Sequence, residues 1–155
     1  MTFGNNSKIF PAFLTDTLNQ TAAFDLNSHT LKAALFNDTT TPNQTAAAAS
    51  TGFNTGVWTT GNEVANGGWS SGGLSLASVT SGFSSNVYTL DAADVANGSA
   101  ATLSDVRGCL VYDDSLTTPV ADQGISYHSF GGAQAVTAGT FTVVWNASGI
   151  FSLTL

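Results

Sequence analysis

The stretch Gly139-Thr-Phe-Thr-Val-Val-Trp-Asn-Ala-Ser-Gly-Ile-Phe-Ser-Leu-Thr-Leu155 decides the fold class. Phe141, Val143 and Trp145 alternate with Thr140, Thr142 and Val144, and beyond Asn146–Gly149 the apolar Phe151, Leu153 and Leu155 alternate with Ser152 and Thr154. Side chains of a strand point to opposite faces with period two, so each run has one apolar face. Asn146 and Gly149 tolerate the positive φ of a tight loop. The stretch predicts a β-hairpin whose aromatic face closes the core.

Working outward, the same alternation recurs. Gly124-Ile-Ser-Tyr-His-Ser-Phe130 is strand-like, and Gly131-Gly132 is expected to end it. Val106–Tyr112 reads as a buried strand followed by an Asp113-Asp-Ser-Leu-Thr-Thr-Pro119 turn, and Asp91–Ser99 as a polar connection. Leu74–Thr80 and Phe83–Leu90 alternate around an expected turn at Ser81-Gly82, and His29–Phe36 reads as the first core strand. Ile9, Phe10, Phe13, Leu14 and Leu18 fall near helical spacing, and Pro11 suits a first helical turn, so a short helix is expected from about Pro11 to Asn19. Many short strands between turns predict an all-β fold, mainly an antiparallel β-sandwich or jelly-roll-like arrangement, with one short N-terminal helix. The expected organisation is a single domain over 1–155, with a flexible N-terminal arm (about 1–8) and a long irregular insertion (about 37–72).

Composition narrows the function classes. The 155 residues are 43% hydrophobic but only 8% charged, against about 25% in ordinary soluble domains, so Thr, Ser, Asn and Gly must cover the surface. Net charge is −7, with Lys8, Lys32 and Arg107 as the cations. A nucleic-acid binder neutralises several phosphates and an anionic membrane attracts basic segments, so neither partner is expected. No apolar run approaches the roughly 20 residues of a spanning helix, and no secretory signal pattern is visible at Met1–Lys8.

Candidate chemistry is sparse. Cys109, the sole cysteine, lies in an apolar run and is expected to be a buried apolar residue. Asp91/Asp94 and Asp113/Asp114 are possible carboxylate pairs, but neither has calcium-loop spacing, and turn formation accounts for both. Gly68-Trp-Ser-Ser-Gly72 has the letters of a nucleophile elbow with Ser70 in the nucleophile place. It lacks the preceding strand and following helix that the elbow needs. His29 and His128 are expected to be strand residues rather than bases. Six Asn-x-Ser/Thr triplets follow from composition. No catalytic residue, metal site or cofactor is expected.

The ordered segments Asp25-Leu-Asn-Ser-His-Thr-Leu-Lys-Ala-Ala-Leu35, Arg107-Gly-Cys-Leu-Val-Tyr112 and Trp145-Asn-Ala-Ser-Gly-Ile150 resemble a family of small virion proteins of tailed bacteriophages, the capsid decoration or minor capsid proteins. The likeness covers about residues 8–155 and is weakest over 37–72, where the Thr- and Ala-rich insert departs from the family pattern. The resemblance implies a non-enzymatic structural protein, made in the host bacterial cytoplasm, that binds the outside of an assembled capsid and bridges major capsid protein subunits. It also implies a homo-oligomer, with a trimer favoured. On that reading Phe3, Ile9, Phe10, Phe53, Trp58 and Trp69 are the expected capsid or oligomer contacts. A tail or neck component is a second reading. A carbohydrate-binding adhesin, with Trp58 and Trp69 stacking on sugar rings, is a third.

Overall fold

Alternating apolar residues pair into ten short or long strands around one helix in a computed structural model, which describes residues 3, 4 and 6–155. In chain order these are β1 (Lys8–Ile9), α1 (Pro11–Leu18), β2 (Leu31–Phe36), β3 (Leu74–Ser75), β4 (Thr80–Ser84), β5 (Val87–Asp91), β6 (Val95–Ala96), β7 (Ala101–Asp113), β8 (Gly124–Gly139), β9 (Thr142–Val143) and β10 (Phe151–Thr154). The pairing is antiparallel throughout, and the all-β class with one short N-terminal helix is as expected.

Three sheets result: a five-stranded sheet in the order β1-β8-β7-β2-β3, a three-stranded sheet β10-β5-β4, and a two-stranded ribbon β6-β9. Leu-Lys-Ala-Ala-Leu-Phe of β2 is buried at every position except Lys32, the pattern of a central strand covered on both faces. It pairs with β7 in unbroken register from Leu31↔Asp113 to Phe36↔Gly108. Apolar side chains from all three sheets join one core, among them Leu35, Leu110, Ile125, Leu90, Phe151 and Val143.

Helix α1 starts where the sequence places it, with Pro11 in its first turn, and the hydroxyl of Thr17 donates to the Phe13 carbonyl (2.7 Å). Phe13 is its buried residue and meets Phe24 edge-on at 4.8 Å and Phe151 of β10 at 6.1 Å. The helix therefore lies beside the three-stranded sheet.

Three local expectations are corrected. Strand β8 runs through Gly131-Gly132 to Gly139, because Gly131 takes φ +74° and the β7–β8 ladder absorbs register shifts there as bulges. The β4–β5 turn falls at Ser85-Asn86, both at positive φ (51° and 62°), rather than at Ser81-Gly82. Two positive-φ residues give the backbone twist that a two-residue hairpin needs.

The third correction concerns the terminal stretch. Its turn forms, with the Gly149 N–H donating to the Asn146 carbonyl (2.8 Å), but its arms do not pair with each other beyond it. β9 pairs with β6 and β10 pairs with β5. The Trp145 N–H donates to Asp94 Oδ1 (2.9 Å), which fastens the first arm beside β6. Trp145 itself is half-buried.

Candidate functional site

Four of the six expected contact residues are core residues. Trp58 is 1% exposed and stands at the centre of an aromatic cluster, edge-on to Phe36 at 5.0 Å, Phe3 at 6.0 Å and Phe10 at 6.2 Å. Tyr127 completes the ring, tilted at 5.9 Å from Trp58. Phe3 and Phe10 are buried, as is Trp69, which meets Phe141 edge-on at 5.8 Å. These rings stabilise the domain, and their faces are not available to a capsid or a sugar. Ile9 and Phe53 are half-buried; Phe53 lies flat on Tyr112 with centroids 5.4 Å apart and planes 14° apart.

The reason lies in how the 37–72 tract folds. It contains a single turn of 3-10 helix at Ala48–Ser50 and then turns back along β2. The Asn37 N–H donates to the Asn62 carbonyl (3.0 Å) and the Val64 N–H to the Leu35 carbonyl (2.8 Å). Phe53 N–H donates to the Asp122 carbonyl (3.0 Å), so the tract is pinned at both ends and carries its tryptophans inward. The N-terminal segment is pinned too: Ser129 Oγ donates to the Gly4 carbonyl (2.6 Å), and the Ser129 N–H donates to Ser7 Oγ (3.1 Å). Met1, Thr2 and Asn5 of the expected arm lie outside the described residues.

The polar candidates separate into structural pairs. His29 Nδ1 lies 2.7 Å from Oδ2 of the buried Asp113, whose Oδ1 accepts the Ser115 N–H (3.0 Å). Lys32 pairs with Asp114 at 2.9 Å. The Tyr112 hydroxyl donates to the Gly72 carbonyl (2.7 Å), and burial together with Asp114, Asp122 and Glu63 pushes its pKa well up. Burial, then Asp114, raises the carboxyl of Asp122. Asp91 Oδ1 accepts the Ala92 N–H, and Asp94 holds Trp145, so these two carboxylates organise the chain around them.

Ser70 is exposed, and the histidines have other partners: His29 has Asp113, and His128 Nε2 lies 2.9 Å from Ser126 Oγ. His128 sits edge-on to Trp145 at 5.4 Å, and burial pulls its pKa down to about 4. Cys109 is fully buried, and burial pushes its thiol pKa far up. Among the described residues no cluster of three or more His, Cys, Asp or Glu could hold a metal ion. Among the described residues, no helix is long and apolar enough to cross a membrane.

Two surface features remain, and sequence reading missed both. The first is the outer edge of β8. β1 covers it only at Ser126 and Tyr127, so among the described residues Phe130–Gly139 has β7 on one side and no strand on the other. The second is an apolar trough between α1 and the three-stranded sheet. Leu18 (82%), Phe83 (59%) and Leu155 (84%) stand exposed at its rim. Phe83 lies between Gly82 and Ser84, so only its size among small neighbours signalled it.

No family model, no curated protein and no solved structure matches the chain.

Proposed function

We propose that the protein is a virion structural protein that binds the outside of an assembled bacteriophage capsid and stabilises it by bridging major capsid protein subunits. The three segments that resemble the decoration family support this reading. Leu31–Leu35 and Arg107–Tyr112 lie on neighbouring strands, and Trp145–Ile150 spans the turn between β9 and β10.

The observation that carries the reading furthest is the free edge of β8. Gly-Gly-Ala-Gln-Ala-Val-Thr-Ala-Gly, residues 131–139, holds no charge and no proline. Isolated proteins blunt such edges with charges, prolines or cover, because unpaired N–H and C=O groups recruit other strands. An unguarded edge suits a protein that works with a partner backbone added to its sheet. One such contact is weak; many copies on one lattice stabilise the shell by mass action, since they bind assembled but not free subunits.

The test is cryo-EM of particles that carry this chain. The expected map has it on the outer capsid face with the Gly131–Gly139 edge against a major capsid subunit, and Ala133→Lys with Ala135→Lys lowers its occupancy. Density in the tail or neck, or none on the shell, overturns the reading.

A further inference from the structure

The sequence contains Val-Ala-Asn-Gly twice, at 64–67 and at 95–98, and these hold its two Asn-Gly steps. Glycine has no Cβ to hinder its own nitrogen, so after an asparagine that nitrogen reaches the side-chain amide carbon most easily. The fold treats the two copies in opposite ways.

Asn97 is buried, and both ends of its amide are held. Nδ2 donates to the carbonyls of Ser99 (2.5 Å) and Gly139 (3.0 Å), and Oδ1 accepts the Phe141 N–H (2.5 Å). Attack on this amide would forfeit both bonds from Nδ2. Asn66 and Gly67 are exposed, and among the described residues neither the Asn66 side-chain amide nor the Gly67 N–H has a hydrogen-bond partner. Asn66 opens a tight turn: its carbonyl accepts the Trp69 N–H (3.2 Å), and Gly67 takes φ +59°.

We propose that Asn66 is a site of self-modification. The Gly67 nitrogen, having given its proton to solvent base, attacks Asn66 Cγ and closes a succinimide. The Cγ–Nδ2 bond breaks, and the leaving nitrogen takes that electron pair and a proton from water to depart as ammonia. Water then adds to one of the two imide carbonyls and opens the ring to aspartate or to isoaspartate. Water is the sole co-reactant, and nothing is oxidised or reduced. Asn97, in the same four-residue motif, is kept intact by its three hydrogen bonds.

The position of the turn gives the change a structural effect. The Gly68 N–H donates to the Ala100 carbonyl (3.2 Å), and a Cβ on Gly67 or Gly68 would strike the carbonyl oxygen of Ala100 or Ser99. The turn is therefore seated directly on the start of β7, where Ala101 pairs with Gly139 of β8. Either product adds a carboxylate to a chain of net charge −7, and isoaspartate also lengthens the backbone by a methylene at the entrance to that seat. Asn97 holds Gly139 itself, so its protection confines the change to the outer turn. None of this depends on the capsid reading, and it holds whether or not the β8 edge binds a shell.

The experiment is peptide mass spectrometry on the full chain after a time course at mildly alkaline pH, with and without denaturant. Chymotryptic cleavage after Trp58, Trp69, Leu90 and Leu103 puts Asn66 and Asn97 on separate peptides. In the folded chain the Asn66 peptide is expected to gain the mass of NH exchanged for O more than about tenfold faster than the Asn97 peptide, whose reaction requires local opening. In denaturant the two rates converge. Asn66→Gln, at an exposed side chain, removes the early ammonia release from the folded protein, and melts of that variant check that it folds. An unchanged Asn66 in the folded chain, equal folded rates at the two sites, a contrast that survives denaturation, or ammonia release indifferent to Asn66→Gln each overturns the proposal.

Discussion

Gly108 lies directly beneath the ring of Phe3: a Cβ built on Gly108 would collide with that ring and with the carbonyl oxygen of His128 on the neighbouring strand. The small residue after Arg107 is therefore what lets the N-terminal segment pack onto β7. Gly108→Ala is expected to cost about 1–3 kcal/mol by overpacking, read as a lower urea midpoint. Adding Phe3→Ala recovers little, because the His128 carbonyl stays in place.

Trp58 and Trp145 should differ sharply as alanine variants. Trp58 is buried among four aromatic rings, so Trp58→Ala is expected to lose about 3–5 kcal/mol. Trp145 is half-buried against His128, and its backbone tie to Asp94 survives truncation, so Trp145→Ala falls below about 3 kcal/mol. Chemical denaturation of the two variants side by side makes the comparison.

His128 gives the fold a pH dependence of definite sign. Its folded pKa of about 4 lies below the ordinary value of 6.5, so between those limits the unfolded chain binds a proton that the folded one does not. Stability therefore falls as pH drops from about 6.5 to about 4, and the loss is complete below that window. His128→Gln removes this contribution. Unfolding midpoints at a series of pH values should be flatter for the variant across that window.

Cys109 should be silent in the native state. With its side chain buried on β7 and its thiol pKa raised by burial, almost no thiolate meets solvent. A thiol-specific chromogenic reagent is expected to titrate Cys109 only after denaturant is added. Rapid labelling without denaturant would show that β7 opens locally.

What the sequence reveals depends on how much of the relevant energy is local. Leu31–Phe36 and Val106–Tyr112 are recognisable because burial dictates residue type position by position. Alternation reports which way a side chain points; it does not report which strand lies alongside. The terminal stretch looked like a self-paired hairpin because its turn is genuine, yet the bond from Trp145 to Asp94, 51 residues away, sends its first arm to β6. Aromatic type is ambiguous in the same way. Trp58 and Trp69 in a polar tract have the composition of a binding surface, and only the backbone bonds from Asn37 and Val64 turn them inward. The apolar trough beside α1 was illegible because its lining comes from residues as far apart as Phe13 and Leu155 and forms only once α1 lies on the β10-β5-β4 sheet.

That sheet has a consequence for synthesis on the ribosome. Its outer strand β10 is residues 151–154, and β5 has β4 alone as a partner until those residues emerge. A two-stranded ribbon is marginal in water. Phe151 and Leu153, which line the apolar trough beside α1, arrive with the same strand. A chain interrupted before Ile150 therefore lacks the third strand of this sheet and the Phe151 ring that meets Phe13 of α1.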